Sequence, residues 1–380
     1  MPRCPEPSKL GYRPALDGLR GVAVLAVLAY HTAWIPGGFL GVDVFFTLSG
    51  FLITTLLCEE HARTGTISIR RFYVRRARRL LPALAVLILI CGGTLFATIP
   101  SAFWPILGCL LGVLGYSANW LMIYWRGMGV LDHTWSLAIE EQFYLAWPVL
   151  LLGLLRVARA RWIGAGLVVA AAGSLAWRLA LACFGGTSFP RLYLATDTHA
   201  DGLLLGAALA VLLHHRGLGG SPGSLRRAVG TISALGLLGL FAAAPVMPTY
   251  ALGITALAAC ATGGVILDVL AGGSWVTRWL ESGWLVRIGW ISYGVYLWHY
   301  PVFVLLGVLR QPSDSAAPLG RTLLGWALTF AVAGLSYWLV ERRFLVYNAR
   351  LSANPGIEPA PASLVALATK NGRLALPASR

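Results

Sequence analysis

Residues 19–57 read LRGVAVLAVLAYHTAWIPGGFLGVDVFFTLSGFLITTLL, which is two long apolar runs with a short turn between them. Each run can supply a helix that crosses the hydrocarbon core of a bilayer, which takes about 20 mostly apolar residues. The turn around Pro36, Gly37 and Gly38 is too short for anything but a tight reversal. The sequence therefore predicts an antiparallel hairpin of two membrane helices.

The same apolar character extends through all 380 residues. Hydrophobic residues make up 57% of the chain and charged residues 12%, whereas roughly a quarter of the residues in a soluble domain are charged. This composition excludes a disordered protein, and six scattered Cys exclude a disulfide scaffold and predict no metal site. The basic residues come in bursts between apolar runs, which is typical of cytoplasmic loops and not of a nucleic-acid surface. We predict an all-α, polytopic integral membrane protein that binds no nucleic acid.

Eleven apolar runs follow one another, and the basic loops indicate that one of them does not cross the membrane. If every run crossed, three later basic stretches would lie on the opposite side from the Arg-rich loop 58–79. These stretches are 156–161, 214–227 and Arg342–Arg343. Because basic loops stay inside, one piece between residues 100 and 155 should fold back as a re-entrant or protein-buried segment. The prediction is a helical bundle of about ten transmembrane helices plus that segment, with both termini in the cytoplasm.

This transmembrane domain is expected to occupy residues 10–345, and the Pro- and Ala-rich stretch 346–380 is expected to be a loosely ordered cytoplasmic tail. No cleavable signal peptide is expected, because the first apolar run continues into a second one.

Ionisable side chains inside apolar runs are costly and mark candidate functional sites. Asp17 and Arg20 lie three residues apart at the inner end of the first helix and can pair, while His31 lies about 16 Å beyond Arg20. Asp43 should reach a depth similar to that of His31, where a carboxylate would raise the basicity of the imidazole and fix its tautomer. The alternatives are an interfacial anchor for Asp17 and Arg20, and a buried, hydrogen-bonded histidine for His31.

Two further groups stand out. Arg76 and Arg79 share a helix face and offer a forked set of donors for the phosphates of a nucleotide or of coenzyme A. A role as topology-setting charges, or contact with anionic lipid, explains the two arginines equally well. Glu140 and Glu141 lie in one apolar run and face different ways, so that one can point inward while the other meets water or an Arg. Several later residues are open to either a catalytic or a purely interior role: Asp197, His199, Asp201 and His299.

Together these segments resemble the acyltransferase 3 family of integral membrane O-acyltransferases. The resemblance rests on YRPALDGLR at 12–20, His31, GGFLGVDVFF at 37–46, SGFLI at 49–53, the Arg76–Arg79 pair, HTWSLAIEEQFY at 133–144 and ISYGVYLWH at 291–299. It extends from about residue 10 to 345, and the order and spacing of the motifs are specific in combination. The family often carries an additional periplasmic esterase-like domain, and we expect none here because the sequence ends soon after its last apolar run.

The resemblance implies a bacterial cytoplasmic-membrane enzyme with a ten-helix core and no permanently bound cofactor. It implies transfer of an acetyl or other short acyl group from acyl-CoA, with acetyl-CoA as the expected donor. The acceptor would be a hydroxyl of a carbohydrate, of a cell-envelope glycan or of a glycosylated natural product such as a macrolide. It also implies that His31 is the essential histidine. We therefore assign His31, Asp43 and Glu140 as candidate catalytic residues, and Arg76, Arg79, Arg20 and Asp17 as candidate acyl-CoA-binding residues.

Two other classes of protein fit the residues alone. A proton-coupled transporter or exporter would use buried acids and histidines as a proton relay. A non-catalytic membrane scaffold would use the same polar residues only to pack helices. Acyl transfer by the purified protein, and its dependence on His31, distinguishes these classes from an enzyme.

Overall fold

The computed structural model describes residues 10–125, 127–216, 223–244, 253–310 and 314–344. Within these ranges the chain forms helices joined by short loops, and no strand occurs. The prediction of an all-α protein is confirmed. The expected tail at 346–380 lies outside the described residues.

The described residues contain sixteen α-helices of very different lengths. They are α1 Pro14–His31, α2 Gly41–Thr64, α3 Ile69–Thr98, α4 Phe103–Leu114, α5 Ala118–Tyr124, α6 Thr134–Val157, α7 Ala160–Phe184, α8 Phe189–Leu194, α9 Thr196–His199, α10 Asp201–Arg216, α11 Gly223–Ala243, α12 Ile254–Ala271, α13 Trp275–Leu280, α14 Gly283–Trp290, α15 Ser292–Leu305 and α16 Leu319–Ser336. A π-helical turn, Tyr337–Glu341, continues α16.

Seven helical segments of the described chain are long and apolar enough to cross a membrane. They are Pro36–Thr64, Ile69–Thr98, Thr134–Val157, Ala160–Phe184, Gly223–Ala243, Ile254–Ala271 and Leu319–Phe344. Their outer faces expose large apolar side chains, among them Leu89, Leu150 and Val169, as a surface in contact with lipid requires. The chain is therefore a multi-pass membrane protein, and the count of about ten crossings stays a prediction.

Helices α1 and α2 form the predicted tight hairpin. Pro14 is the first residue of α1, a position where the missing N–H has no intrahelical partner. After His31 the chain reverses through a 3₁₀ turn, Pro36–Leu40. The two helices then approach so closely that a Cβ on Gly41 would collide with the carbonyl oxygen of Ala23.

Helix α2 lies at the centre of the bundle and is the most enclosed of the seven candidate spans. Helix α10 packs along it in the same direction, with Gly202 beside Asp43 and Gly206 beside Thr47. A Cβ on Gly206 would collide with the carbonyl oxygen of Thr47. Small residues of this kind let membrane helices pack backbone to backbone, which is their main source of association energy in lipid.

Helices α3 and α6 run antiparallel. Arg76 contacts Glu141, and Tyr73, about one turn earlier on α3, donates a hydrogen bond of 2.5 Å to the carbonyl oxygen of Leu145, one turn later on α6. The chain therefore leaves α3 and enters α6 at the same end of the bundle, and the segment 99–133 returns to the side from which it came.

The short helices α4 and α5 fill this returning segment. Leu110 of α4 packs against Gly92 of α3, and the side-chain amide of Gln142 on α6 donates a hydrogen bond of 2.7 Å to the carbonyl oxygen of Tyr116, between α4 and α5. The segment is thus packed against protein on two sides. The segment falls within the stretch 100–155, where the basic loops predicted a piece that does not cross, and this failure to cross stays a prediction.

The ends of the bundle differ in charge. Ile67 before α3, Leu151 near the end of α6 and Ile163 near the start of α7 belong to one buried apolar cluster, so the Arg-rich loops beside them lie at the same end. The stretch 58–79, expected as a loop, is instead the end of α2, a short loop at 65–68 and the start of α3, and the stretch 156–161 is the junction of α6 and α7. We call this the arginine end, and the opposite one, where α1 terminates at His31, the histidine end.

Replacing Gly206 by Leu should destabilise the bundle, because the new side chain has to separate α2 from α10. Overpacking costs about 1–3 kcal/mol when side chains can adjust, and here the obstacle is backbone, so the loss should reach the upper end of that range. Thermal unfolding in detergent, followed by size-exclusion chromatography, measures it.

Gly236→Leu is the matched control, because a Cβ at Gly236 of α11 meets no atom within 4 Å. Equal melting temperatures for Gly206→Leu and Gly236→Leu would contradict the close packing of α2 and α10.

Candidate functional site

Three arginines from two helices lie together toward the arginine end. The guanidinium of Arg20 on α1 lies 6.0 Å from the ring centre of Phe45, and its Nε donates a hydrogen bond of 3.3 Å to Ser292 Oγ. Arg79 on α3 lies within electrostatic range of Arg20, Arg76 and Asp17, and it keeps an exposed surface. We call Arg20, Arg76 and Arg79 the arginine group.

Arg76 is the most tightly held member of the arginine group. Its guanidinium donates to Glu141 Oε1 at 3.0 Å and lies 3.5 Å from the ring centre of Tyr144. Glu140 accepts hydrogen bonds from the hydroxyls of Tyr144 and Ser49. The two adjacent acids therefore do take different partners, as expected, with Glu141 meeting the arginine.

This arrangement suits a polyanionic ligand. Like-charged guanidinium groups held together in a low-dielectric setting repel one another, so a phosphate entering between them gains from all three at once. Arg20 and Arg79 retain exposed surface through which such a ligand can reach them.

Three histidines lie together at the other end of α1. The His31 ring lies 5.2 Å from that of His299, and the His133 ring lies 5.5 Å from His299 and stacks on Tyr300 at 5.2 Å, all between ring centres. His133 and His299 are buried, whereas His31 is partly exposed. Nε2 of His299 and both ring nitrogens of His133 are buried without a hydrogen-bond partner among the described residues. We call His31, His133 and His299 the histidine cluster.

Aromatic contacts join the arginine group to the histidine cluster. Phe45, which lies beside Arg20, packs against Tyr296 with ring centres 6.5 Å apart. Tyr296 packs in turn against His133 at 5.8 Å, and its hydroxyl lies 2.5 Å from Ser136 Oγ. The arginine group and the histidine cluster thus border the same part of the protein interior. Along α1, Arg20 and His31 lie about 16 Å apart.

Comparison with known proteins bears on this arrangement. A family model described as an acyltransferase domain matches residues 13–341. The chain belongs to the acyltransferase 3 family. The family suspected from the sequence is therefore confirmed.

Several curated relatives resemble this chain over most of its length. The peptidoglycan O-acetyltransferase OatA of Listeria monocytogenes is 35% identical over 352 residues, which is 87% of this chain and 55% of the relative. The O-acetyltransferase OatA of Staphylococcus aureus strain NCTC 8325 is 33% identical over 353 residues, 87% of this chain and 57% of the relative. The chain thus spans little more than half the length of these relatives. No solved structure matches it.

Asp43 corrects one expectation about the candidate site of this chain. Its Oδ1 lies 3.0 Å from His199 Nε2, and the anticipated pairing with His31 is not formed. His199 Nδ1 donates to the carbonyl oxygen of Tyr193 at 2.7 Å, so the contact with Asp43 requires a second proton, on Nε2 or on the carboxyl group. His31 was expected as the partner because it should lie at the same depth in the membrane as Asp43. Helix α10 packs along α2, however, and His199, at the end of α9 just before α10, reaches Asp43 instead.

A second buried ion pair lies close to Asp43. Arg178 of α7 and Asp201 of α10 are 3.1 Å apart and almost without exposure, and Thr255 of α12 donates to the same carboxylate at 3.1 Å. Arg178 also donates to the carbonyl oxygen of Thr198 at 2.7 Å. These bonds link α7, α10 and α12. They indicate a structural role for Arg178 and for Asp201, whose role the sequence left open.

Sequence reasoning missed Glu341 and Arg178. Glu341 lies buried on the π-helical turn after α16, accepts a hydrogen bond from Ser336 and lies within electrostatic range of Arg79. A lone acid at the end of the last apolar run and a lone Arg within the run 162–184 were the available signals. Among the described residues, no group of three or more His, Cys, Asp and Glu has a geometry that could hold a metal ion.

Arg178→Met should lower the free energy of unfolding by about 3–5 kcal/mol, because it leaves the Asp201 carboxylate buried without its cation. The double variant Arg178→Met with Asp201→Asn should recover part of that loss, since both charges are then gone. Thermal unfolding in detergent measures both.

The control is Arg156→Met, at an exposed position near the end of α6. A double variant as unstable as the sum of its two single variants would show that Arg178 and Asp201 do not act as a pair.

Proposed function

We propose that this chain is a membrane O-acyltransferase that moves an acetyl or other short acyl group from acyl-CoA to a hydroxyl of a glycan. The observation that carries the proposal is the position of the arginine group and the histidine cluster on either side of Phe45 and Tyr296. One end of this interior suits the anionic nucleotide of coenzyme A, and the other suits removal of a proton from an alcohol.

The arginine end is assigned to the cytoplasm, where acyl-CoA is found. The basic loops gathered at that end support this orientation through the positive-inside tendency. With this orientation both termini are cytoplasmic, and His31 lies toward the extracytoplasmic face of a bacterial cytoplasmic membrane. An extended pantetheine arm would then reach from the arginine group toward the histidine cluster, over the roughly 16 Å that separates Arg20 from His31 along α1.

His31 is assigned as the general base, because it is the partly exposed member of the histidine cluster. The acceptor hydroxyl gives its proton to a ring nitrogen of His31 as its oxygen bonds to the thioester carbonyl carbon. When the carbon–sulfur bond breaks, the same proton neutralises the thiolate of coenzyme A. No oxidant, metal or covalent enzyme intermediate is required for this balance.

Glu140 and Asp17 take supporting roles in this scheme. Glu140 holds the hydroxyls of Tyr144 and Ser49, and Tyr144 lies under the guanidinium of Arg76. Asp17 lies within electrostatic range of Arg20 and Arg79. Both acids would therefore orient the arginine group, and neither needs to touch the reacting atoms.

A cell-envelope glycan is the favoured acceptor class, because the Listeria relative is named a peptidoglycan O-acetyltransferase. A macrolide or another glycosylated natural product is the second acceptor class. Mass spectrometry of cell-envelope glycans and secreted metabolites, with and without the gene, distinguishes them. A mass gain of one acyl unit identifies donor and acceptor together, and active substrate flux without any acyl transfer would favour a transporter instead.

His31→Ala should lower kcat for acyl transfer by about 10²–10⁴-fold, since it removes the general base. Acetyl-CoA binding should persist, because the arginine group is untouched. The assay is release of coenzyme A from acetyl-CoA by the purified protein in nanodiscs, with peptidoglycan fragments as acceptor. Thr329→Val removes a buried hydroxyl of α16 that bonds only its own helix, and serves as the control. Full activity of a well-folded His31→Ala variant would defeat the assignment.

Arg79→Gln should raise KM for acetyl-CoA by about tenfold, which corresponds to one charge-assisted phosphate contact, and should change kcat much less. Arg71→Gln removes an equally basic, exposed side chain from the start of α3, outside the arginine group, and should leave KM near the wild-type value. Equal KM values for the two variants would show that net charge, and not the arginine group, attracts the donor.

A further inference from the structure

His31 needs a partner for its second ring nitrogen if it is to act as a base. A histidine that accepts a proton works best when the other nitrogen donates to a fixed acceptor, because this sets the tautomer and stabilises the imidazolium. Asp43 is committed to His199 and does not fill this role. The acceptor has to come from the rings around His31.

Three rings face His31 directly. Tyr30 lies at 5.1 Å, His299 at 5.2 Å and Tyr300 at 5.3 Å between ring centres. The hydroxyl of Tyr300 is directed toward the carboxylate of Asp132, at 3.4 Å. Of the groups around His31, His299 presents an unused nitrogen.

The hydrogen bonding of His299 fixes which of its nitrogens carries the proton. Nδ1 lies 2.6 Å from the carbonyl oxygen of Tyr296, and a carbonyl only accepts, so Nδ1 must be the N–H donor. In the neutral ring Nε2 is then a bare acceptor. It is fully buried and has no partner among the described residues. Leaving a buried acceptor unpaired costs free energy, and a partner supplied during the reaction is one explanation for such an atom.

We propose that His299 is a positioning residue for His31, and that its Nε2 accepts a hydrogen bond from the N–H of His31 during acyl transfer. This inference rests on the proposed function. His31 takes the acceptor's proton on one nitrogen and holds the other proton toward His299. The proton then leaves from the first nitrogen to the thiolate of coenzyme A, so His299 exchanges nothing and returns unchanged.

The tautomer of His299 makes it suited to this role. The Tyr296 carbonyl anchors Nδ1–H, so the ring cannot easily turn its N–H toward His31 and compete as a donor. His133, whose ring nitrogens also lack partners, makes its ring contacts with His299, Tyr296 and Tyr300. It is the rival for the same role, and the experiment separates the two.

Three substitutions of His299 test the proposal. His299→Gln keeps an acceptor near the position of Nε2, His299→Asn keeps only a donor near Nδ1, and His299→Phe keeps neither. We expect kcat for acetyl transfer from acetyl-CoA to peptidoglycan fragments to fall by about 10–100-fold for Asn and Phe and clearly less for Gln. KM for acetyl-CoA should stay within about twofold of the wild-type value, because the arginine group is unaffected.

Thr262→Val, which removes a buried hydroxyl of α12 bonded only to its own helix, should keep wild-type kcat. In a cycle with His31→Ala, His299→Phe should cause no further loss, because it acts through His31. His133→Phe should leave the difference between His299→Gln and His299→Asn unchanged.

Several outcomes would overturn the proposal. If His299→Asn were as active as His299→Gln, or more active, the only role of His299 would be to donate a hydrogen bond to the Tyr296 carbonyl oxygen. The proposal would also be wrong if all three variants kept the wild-type kcat, or if none of the three eluted as a monodisperse protein. An inactive wild-type protein would instead count against the proposed function, so the two failures can be told apart.

Discussion

The hydrocarbon core of a bilayer offers no water, so an ionisable side chain buried at that depth needs a polar partner, and here several find one on another helix. Arg178 meets Asp201 and Asp43 meets His199, and both contacts join helices distant in sequence. Arg76 meets Glu141 in the same way. These pairs join neighbouring helices, and the close approach of α2 and α10 at Gly206 leaves no room for a side chain between those two helices.

Buried polar groups without a partner are informative, because leaving them unpaired costs free energy of folding. Nε2 of His299 and the ring nitrogens of His133 lack partners within the described chain, and both rings lie beside His31. The arginine group likewise gathers like charges that repel one another. Several of the buried polar atoms without a partner in the described chain, among them Nε2 of His299 and Nε of Arg76, therefore belong to the two groups where donor and acceptor are proposed to bind.

Helix α1 connects these two places and sets the distance between them. Arg20 and His31 belong to one continuous helix, so their separation of about 16 Å cannot change without breaking it. A donor with an anionic group at one end of a long flexible chain fits this spacing. A compact substrate would contact only the arginine group or only the histidine cluster. Phe45 and Tyr296 pack against each other between the two groups.

The sequence by itself determined the membrane class, the hairpin of α1 and α2 and the family. Each follows from local patterns, namely apolar run length, the placement of Arg and the spacing of motifs. The partners of the buried side chains were decided only by tertiary structure. Asp43 was expected beside His31 because both lie at similar depth, yet depth does not specify rotation about a helix axis or which helix packs alongside. Close packing of α10 on α2 set that choice: Asp43 meets His199, and His299 is one of the rings that face His31.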